Sequence, residues 1–104
     1  MSDKAIPKQY QVLLEKYPDY MKAVQAVGET ARAQGPLADK TAHLIQMAAA
    51  VAIRSQGSVH SHARRALAAG ASPEEVRHAL ILLTSTLGFP CVSAALSWVD
   101  GVLE

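Results

Sequence analysis

The chain has 104 residues, half of them hydrophobic, 5% aromatic and 18% charged, with a formal net charge of +1, and 19 of its residues are alanine. A chain of this length is a single domain, 1–104, that leaves roughly a third or more of its unfolded surface exposed, so an apolar half rich in Ala, Leu and Val points to burial against partner subunits. Dispersed charges exclude an electrostatic footprint for nucleic acid, and one cysteine excludes an internal disulfide, a Cys-x-x-Cys redox centre and a cysteine-rich zinc site.

No run of roughly 18 residues is free of charged or strongly polar side chains, which argues against a membrane span. Residues 1–7 lack the basic-then-apolar pattern of a secretory leader, so the expectation is a cytoplasmic protein. Pro7, Pro18, Gly35-Pro36, Gly57, Gly70, Pro73 and Gly88-Phe89-Pro90 punctuate the chain, and nothing between them alternates as a strand would. The fold class is therefore all-α, with about six helices.

A first helix over roughly 7–16 puts Tyr10, Leu13, Leu14 and Tyr17 on one side. Asp19 is placed to cap a second helix with a stripe of Val24, Val27 and Ala31, interrupted by Gly28 and ended by Gly35-Pro36. A third opens near Asp39 as its cap and runs through Leu44, Ile45, Ala48, Val51 and Ala52 toward Arg54; its Ala-rich stretch, apolar all round, marks a helix buried on several sides. Gly57-Ser58 breaks the chain, and Ser58 caps a fourth helix from Val59 to about Ala69, closed by Gly70. Ser72-Pro73-Glu74-Glu75 then combines an N-cap, a first-position Pro and a capping-box Glu, and Val76, Leu80, Leu83 and Leu87 continue one helix to Gly88. Pro90 starts the last helix, with Val92, Leu96 and Val99 as its seam and Trp98 beside it.

Polar residues that carry chemistry concentrate around the third break. His43, His60 and His62 flank Ser55-Gln56-Gly57-Ser58, where helix-end N–H groups and polar side chains can converge on a ligand. Ser58 and His62, four apart, share a helix face and are spaced to hydrogen-bond, while His60 points elsewhere. Spacing alone does not say whether His43 reaches His62.

Within Thr41–Asp100 the runs Leu44-Ile45, His62-Ala63-Arg64-Arg65-Ala66, Gly70-Ala71-Ser72-Pro73-Glu74-Glu75-Val76 and Gly88-Phe89-Pro90 occur in order. This stretch, about 41–100, resembles the core of the carboxymuconolactone decarboxylase and alkylhydroperoxidase D (AhpD-like) superfamily, preceded by N-terminal helices at about 7–34. The resemblance implies an AhpD-like helical bundle that associates as trimers or hexamers. Its peroxidase branch carries a Glu, a Cys-x-x-Cys pair and a His; anchored at His62, those positions here hold His43, Ser55, Ser58 and His62. Serine cannot form a disulfide and holds its proton far more tightly than a thiol, so a dithiol peroxidase cycle does not run on these residues. The decarboxylase branch depends less on thiols, and His43 in place of the relay Glu keeps a titratable group.

Each candidate also has a structural role to weigh. His62 is either the retained proton-transfer group or a partly buried His bonded to Ser58 or a backbone carbonyl. His43 lies beside an apolar stripe, where a histidine commonly serves packing. Ser58 as a nucleophile would need an oriented base and an oxyanion site, and an N-cap is the plainer role; Ser55 reads as a small polar residue at a helix end. Two or three histidines without a spaced carboxylate make a weak metal set, so neither metal nor cofactor is expected. Cys91 reads as a small buried hydrophobe, Met21 and Met47 as core filler, and Arg54, Arg64 and Arg65 as a solvated face from which one could hold a substrate carboxylate.

The leading expectation is His62/His43 acid/base chemistry on a small, carboxylated substrate in an interhelical pocket of a homo-oligomer, without nucleic acid or membrane partners. A catalytically lapsed ligand-binding or assembly module is the alternative. Peroxide reduction through Cys91 ranks last.

Overall fold

The computed structural model describes residues 8–104, and those residues form helices joined by short turns. The expected absence of a leader in residues 1–7, and Pro7 as the first helix start, lie outside them. The helices are α1 (Lys8–Lys16), α2 (Pro18–Ala33), α3 (Asp39–Ala52), α4 (Gln56–Ala68), α5 (Pro73–Ile81), the single turn α6 (Thr84–Leu87) and α7 (Phe89–Leu103). Among the described residues no helix is long and apolar enough to cross a membrane.

The core is small-residue packing between α3, α4, α5 and α7. Met47 and Val51 of α3, Val59, Ala63 and Ala66 of α4, Val76 and Leu80 of α5, and Ala95 and Val99 of α7 are fully buried in one cluster. The stripes expected after Pro73 and after Pro90 thus point inward, and Trp98 packs against the cluster. Met47 is core filler as expected, and Met21 is buried on α2.

The N-terminal pair is different. α1 buries no residue fully and α2 buries only Met21, while Gln25 Nε2 donates to Tyr10 Oη at 2.6 Å and ties the two together. Val27, expected in a packed stripe, is 70% exposed, and Val24 and Tyr20 are also exposed. Among the described residues nothing covers those side chains.

Local signals were met unevenly. Ser72 caps α5 with a full capping box: Glu75 N–H donates to Ser72 Oγ at 3.0 Å, and Ser72 N–H donates to Glu75 Oε1 at 2.9 Å. Lys40 reaches the same carboxylate at 3.2 Å. These bonds, the backbone one first, hold the Glu75 carboxyl below its ordinary range. Asp19 and Asp39, expected as caps, instead lie in the first turns of α2 and α3, where their charge meets the helix dipole while Tyr17 and Ala38 hold the cap positions. The single helix expected from Pro73 to Gly88 is two: the Leu83 N–H turns back to the Leu80 carbonyl, Thr84 Oγ1 donates to the Ile81 carbonyl at 2.7 Å, and the side chain thereby takes an acceptor that a continuing helix would use. Gly88, at φ 93° and ψ 152°, separates α6 from α7 in a region that only glycine adopts readily.

Candidate functional site

The site is built at the corner between α3 and α4. α3 ends in a Schellman arrangement: the Ser55 N–H reaches the Ala50 carbonyl and the Arg54 N–H reaches the Val51 carbonyl, both at 2.9 Å. The residue that adopts the left-handed conformation there is Arg54, at φ 58°, where glycine is usual. The break expected at Gly57-Ser58 therefore falls earlier, and Gly57 and Ser58 belong to the first turn of α4. Ser58 is not its N-cap. Ser55 holds that position, and its hydroxyl donates to Ser58 Oγ at 3.0 Å without accepting a capping bond from a backbone N–H.

This tight corner folds α4 back along α3 and sets His43 against His62. Their Nδ1 atoms are 3.2 Å apart, with ring centroids at 5.4 Å and planes inclined by 32°. One Nδ1 must carry a hydrogen and the other a lone pair, so the pair is satisfied when both rings are neutral. His43 is only 7% exposed, whereas His62 is half-buried. Burial first, then the charges of Arg65, His43 and Arg32, pushes His62 from 6.5 down to about 4. His43 is lowered as well, by burial, Arg32 and Arg65, against a smaller opposing pull from Asp39. Both rings are consequently neutral near pH 7.

His62 opens into a cavity of about 510 Å³ between the corner and the N-terminal pair. Ser55, Ser58 and Ser61 bring hydroxyls to its wall; Tyr10 and Gln25 close it from α1 and α2. Arg32, Arg64 and Arg65 also line it, and among the described residues no Asp or Glu does. A cavity to which three arginines contribute and, among the described residues, no carboxylate suits an anion.

The four expected site residues thus divide. Ser55, Ser58 and His62 share the cavity wall, and His43 stands behind His62 without lining it. The expected Ser58–His62 hydrogen bond is replaced by Ser55–Ser58 and His43–His62. His60 joins neither; among the described residues no three His, Cys, Asp or Glu side chains gather as a metal cage requires. Cys91, in the first turn of α7, is half-buried against the core and is not part of the cavity wall. Arg64 and Arg65, expected on a solvated face, face the cavity instead, because the N-terminal pair lies over that side of α4. Arg54 is exposed and outside it.

Arg32 and Gln46 were missed by the sequence reading. Both line the cavity, yet Arg32 sits near the end of α2 and Gln46 one turn beyond His43 on α3, so only the tertiary fold brings them to the corner. One local signal was available: Gly28, a costly residue inside a helix, stands four residues before Arg32. A Cβ at position 28 would lie 3.3 Å from Arg32 Nη1, so the glycine makes room for the guanidinium to fold back on its own helix.

The family model for the carboxymuconolactone decarboxylase family matches residues 18–101, which takes in α2 through most of α7. No curated protein and no solved structure matches the chain.

Proposed function

The chain belongs to the carboxymuconolactone decarboxylase family, and from that premise we propose that it is an acid/base enzyme in which His62 exchanges a proton with a small carboxylated substrate bound in the cavity at the α3–α4 corner. The observation that carries this reading is the His43–His62 contact at the wall of an arginine-lined cavity. When His62 donates Nδ1–H to His43 Nδ1, its Nε2 is left with a free lone pair. That nitrogen accepts the substrate proton, and the buried His43 fixes the tautomer and shares the charge that forms on the pair. His43 is thus a positioning residue, in the place where the family's peroxidase branch uses a carboxylate.

The arginines act twice. They hold the substrate carboxylate, and while the site is empty the charges of Arg65 and Arg32 add to burial, the larger cause, in keeping His62 neutral. A bound carboxylate offsets that charge, so His62 becomes more basic when substrate is present. Ser55 and Ser58, in the positions where redox relatives carry cysteines, supply hydrogen bonds and no electron chemistry.

The reading includes self-association, as a trimer or hexamer. Its support is the apolar surface one chain leaves uncovered: Tyr20 and Val27 on α2, Ile53 at the corner, and Phe89 at the start of α7. Sedimentation of the purified protein gives the number of chains.

The test of the chemistry is turnover of a panel of small lactone and keto carboxylates by wild type and His62→Gln. Loss of the general base should lower the rate by about 10²- to 10⁴-fold with the circular dichroism spectrum unchanged. Equal rates in the two proteins remove His62 from the reaction. No turnover of any panel member by wild type, with carboxylates still bound, favours a ligand-binding module.

A further inference from the structure

The larger cavity has a smaller neighbour of about 310 Å³, walled by Ala31, Pro36, Leu37, Ala42 and Ile45 and almost wholly apolar. Arg32 and Gln46 line both, and so form the partition between them. Arg32 Nη1 and Gln46 Oε1 are shielded from solvent and have no hydrogen-bond partner among the described residues. Orphaned buried polar atoms are uncommon in folded proteins because each forfeits its bonds to water without replacement. Here a donor and an acceptor are orphaned together, on the two residues that separate a cationic cavity from an apolar one.

Resting on the proposed function, we propose that Arg32 and Gln46 are the recognition pair for a 2-hydroxycarboxylate with a short aliphatic tail, which inserts between them and lodges its tail in the smaller cavity. A plain carboxylate satisfies the guanidinium but turns oxygen lone pairs toward Gln46 Oε1. A plain alcohol donates to Gln46 and leaves the arginines without an anion. A 2-hydroxycarboxylate carries an acceptor and a donor on adjacent atoms: its carboxylate accepts from Arg32, and its hydroxyl donates to Gln46. Its hydrocarbon then has one apolar direction to follow, past the partition into the smaller cavity. Gly28 belongs to the same device, since it lets the Arg32 guanidinium lie back against α2 at the partition.

Titration calorimetry with 2-hydroxyhexanoate, hexanoate and 2-hydroxypropanoate tests this on the full chain, as binding and independently of turnover. Wild type should hold 2-hydroxyhexanoate about three- to tenfold more tightly than hexanoate, the worth of one hydrogen bond. It should also prefer 2-hydroxyhexanoate to 2-hydroxypropanoate by about tenfold or more, from three methylenes buried. Gln46→Leu should erase the hydroxyl preference and keep the chain-length preference. Ala31→Leu, which narrows the smaller cavity, should reduce the length preference. Arg32→Gln should weaken all three acids about tenfold or more. Gly28→Ala, which favours the helix but crowds the guanidinium, should weaken binding with no loss of thermal stability, separating recognition from folding. A hydroxyl preference that survives in Gln46→Leu, equal affinity for long and short acids, or no binding of any of the three overturns the proposal. Tight, selective binding together with silence in the turnover assay leaves it standing and overturns the acid/base reading instead.

Discussion

Acidification should destabilise this protein through its histidine pair, and replacing His62 by Gln should remove that part of the effect. In the folded chain His62 is held at about 4, whereas in the unfolded chain it returns to 6.5. A group with a depressed folded value binds its proton preferentially in the unfolded state, so its contribution is complete above about pH 6.5 and is lost as pH falls toward about 4. A difference of about 2.5 units at 1.36 kcal/mol each gives an upper limit of about 3.4 kcal/mol. His62 is partly exposed at the cavity wall, and solvent screening reduces the expected figure to about 1–2 kcal/mol. Urea unfolding at fixed protomer concentration, at steps from pH 7.5 to 4.5, measures it as the pH-dependent part of the difference between wild type and His62→Gln. The reasoning is refuted if the two proteins lose stability in parallel, within about 0.3 kcal/mol, over that range.

Three further outcomes follow from named contacts. Arg65→Gln removes the charge that ranks next to burial in lowering His62, so the acid limb of kcat/KM, placed near 4 in wild type, should move up toward 6.5, and a carbon-13 or nitrogen-15 titration of the ring should move with it. Arg54→Gly relieves a side chain held at φ 58° and should raise unfolding free energy by about 1 kcal/mol while leaving the His43–His62 contact intact; an unchanged or lower stability would mean that the Arg54 side chain contributes more than its backbone costs. Ser72→Ala removes the hydroxyl that accepts from the Glu75 N–H while keeping the Ser72 N–H bond to the Glu75 carboxylate, and should cost about 1 kcal/mol in a thermal or urea melt, with no effect on carboxylate binding.

What the sequence made legible were features whose physics is local. The start of α5 is written in four consecutive residues, and the end of α4 in one glycine, which closes it at φ 106° with the Gly70 and Ala71 N–H groups on the Leu67 and Ala66 carbonyls. The buried stripes of α5 and α7 follow from three- and four-residue spacing. The α3–α4 corner was displaced because the usual sign of a left-handed terminus is glycine, so Gly57 drew the break that Arg54 in fact makes. His43 and His62 stand 19 positions apart in the chain, and nothing in their spacing distinguishes facing rings from diverging ones; that depends on how closely α3 and α4 cross. Arg32 and Gln46 were less visible still, since α2 reaches the corner from a part of the chain with no local relation to it.

The alanines that dominate the composition also act as a gauge. Ala50, Ala63, Ala66 and Ala95 are buried where α3, α4 and α7 meet, and side chains this short let helix axes approach toward the near end of the usual range of about 8–10 Å. The imidazole rings span that same interval from opposite sides, and a bond of 3.2 Å has little slack. Adding two methyls at Ala63 would widen the spacing and draw the two nitrogens out of reach of one another. The His43–His62 contact is in this sense set by methyl groups of the core, and a lineage could open or retune it by changing the bore of that core while every polar residue stayed in place.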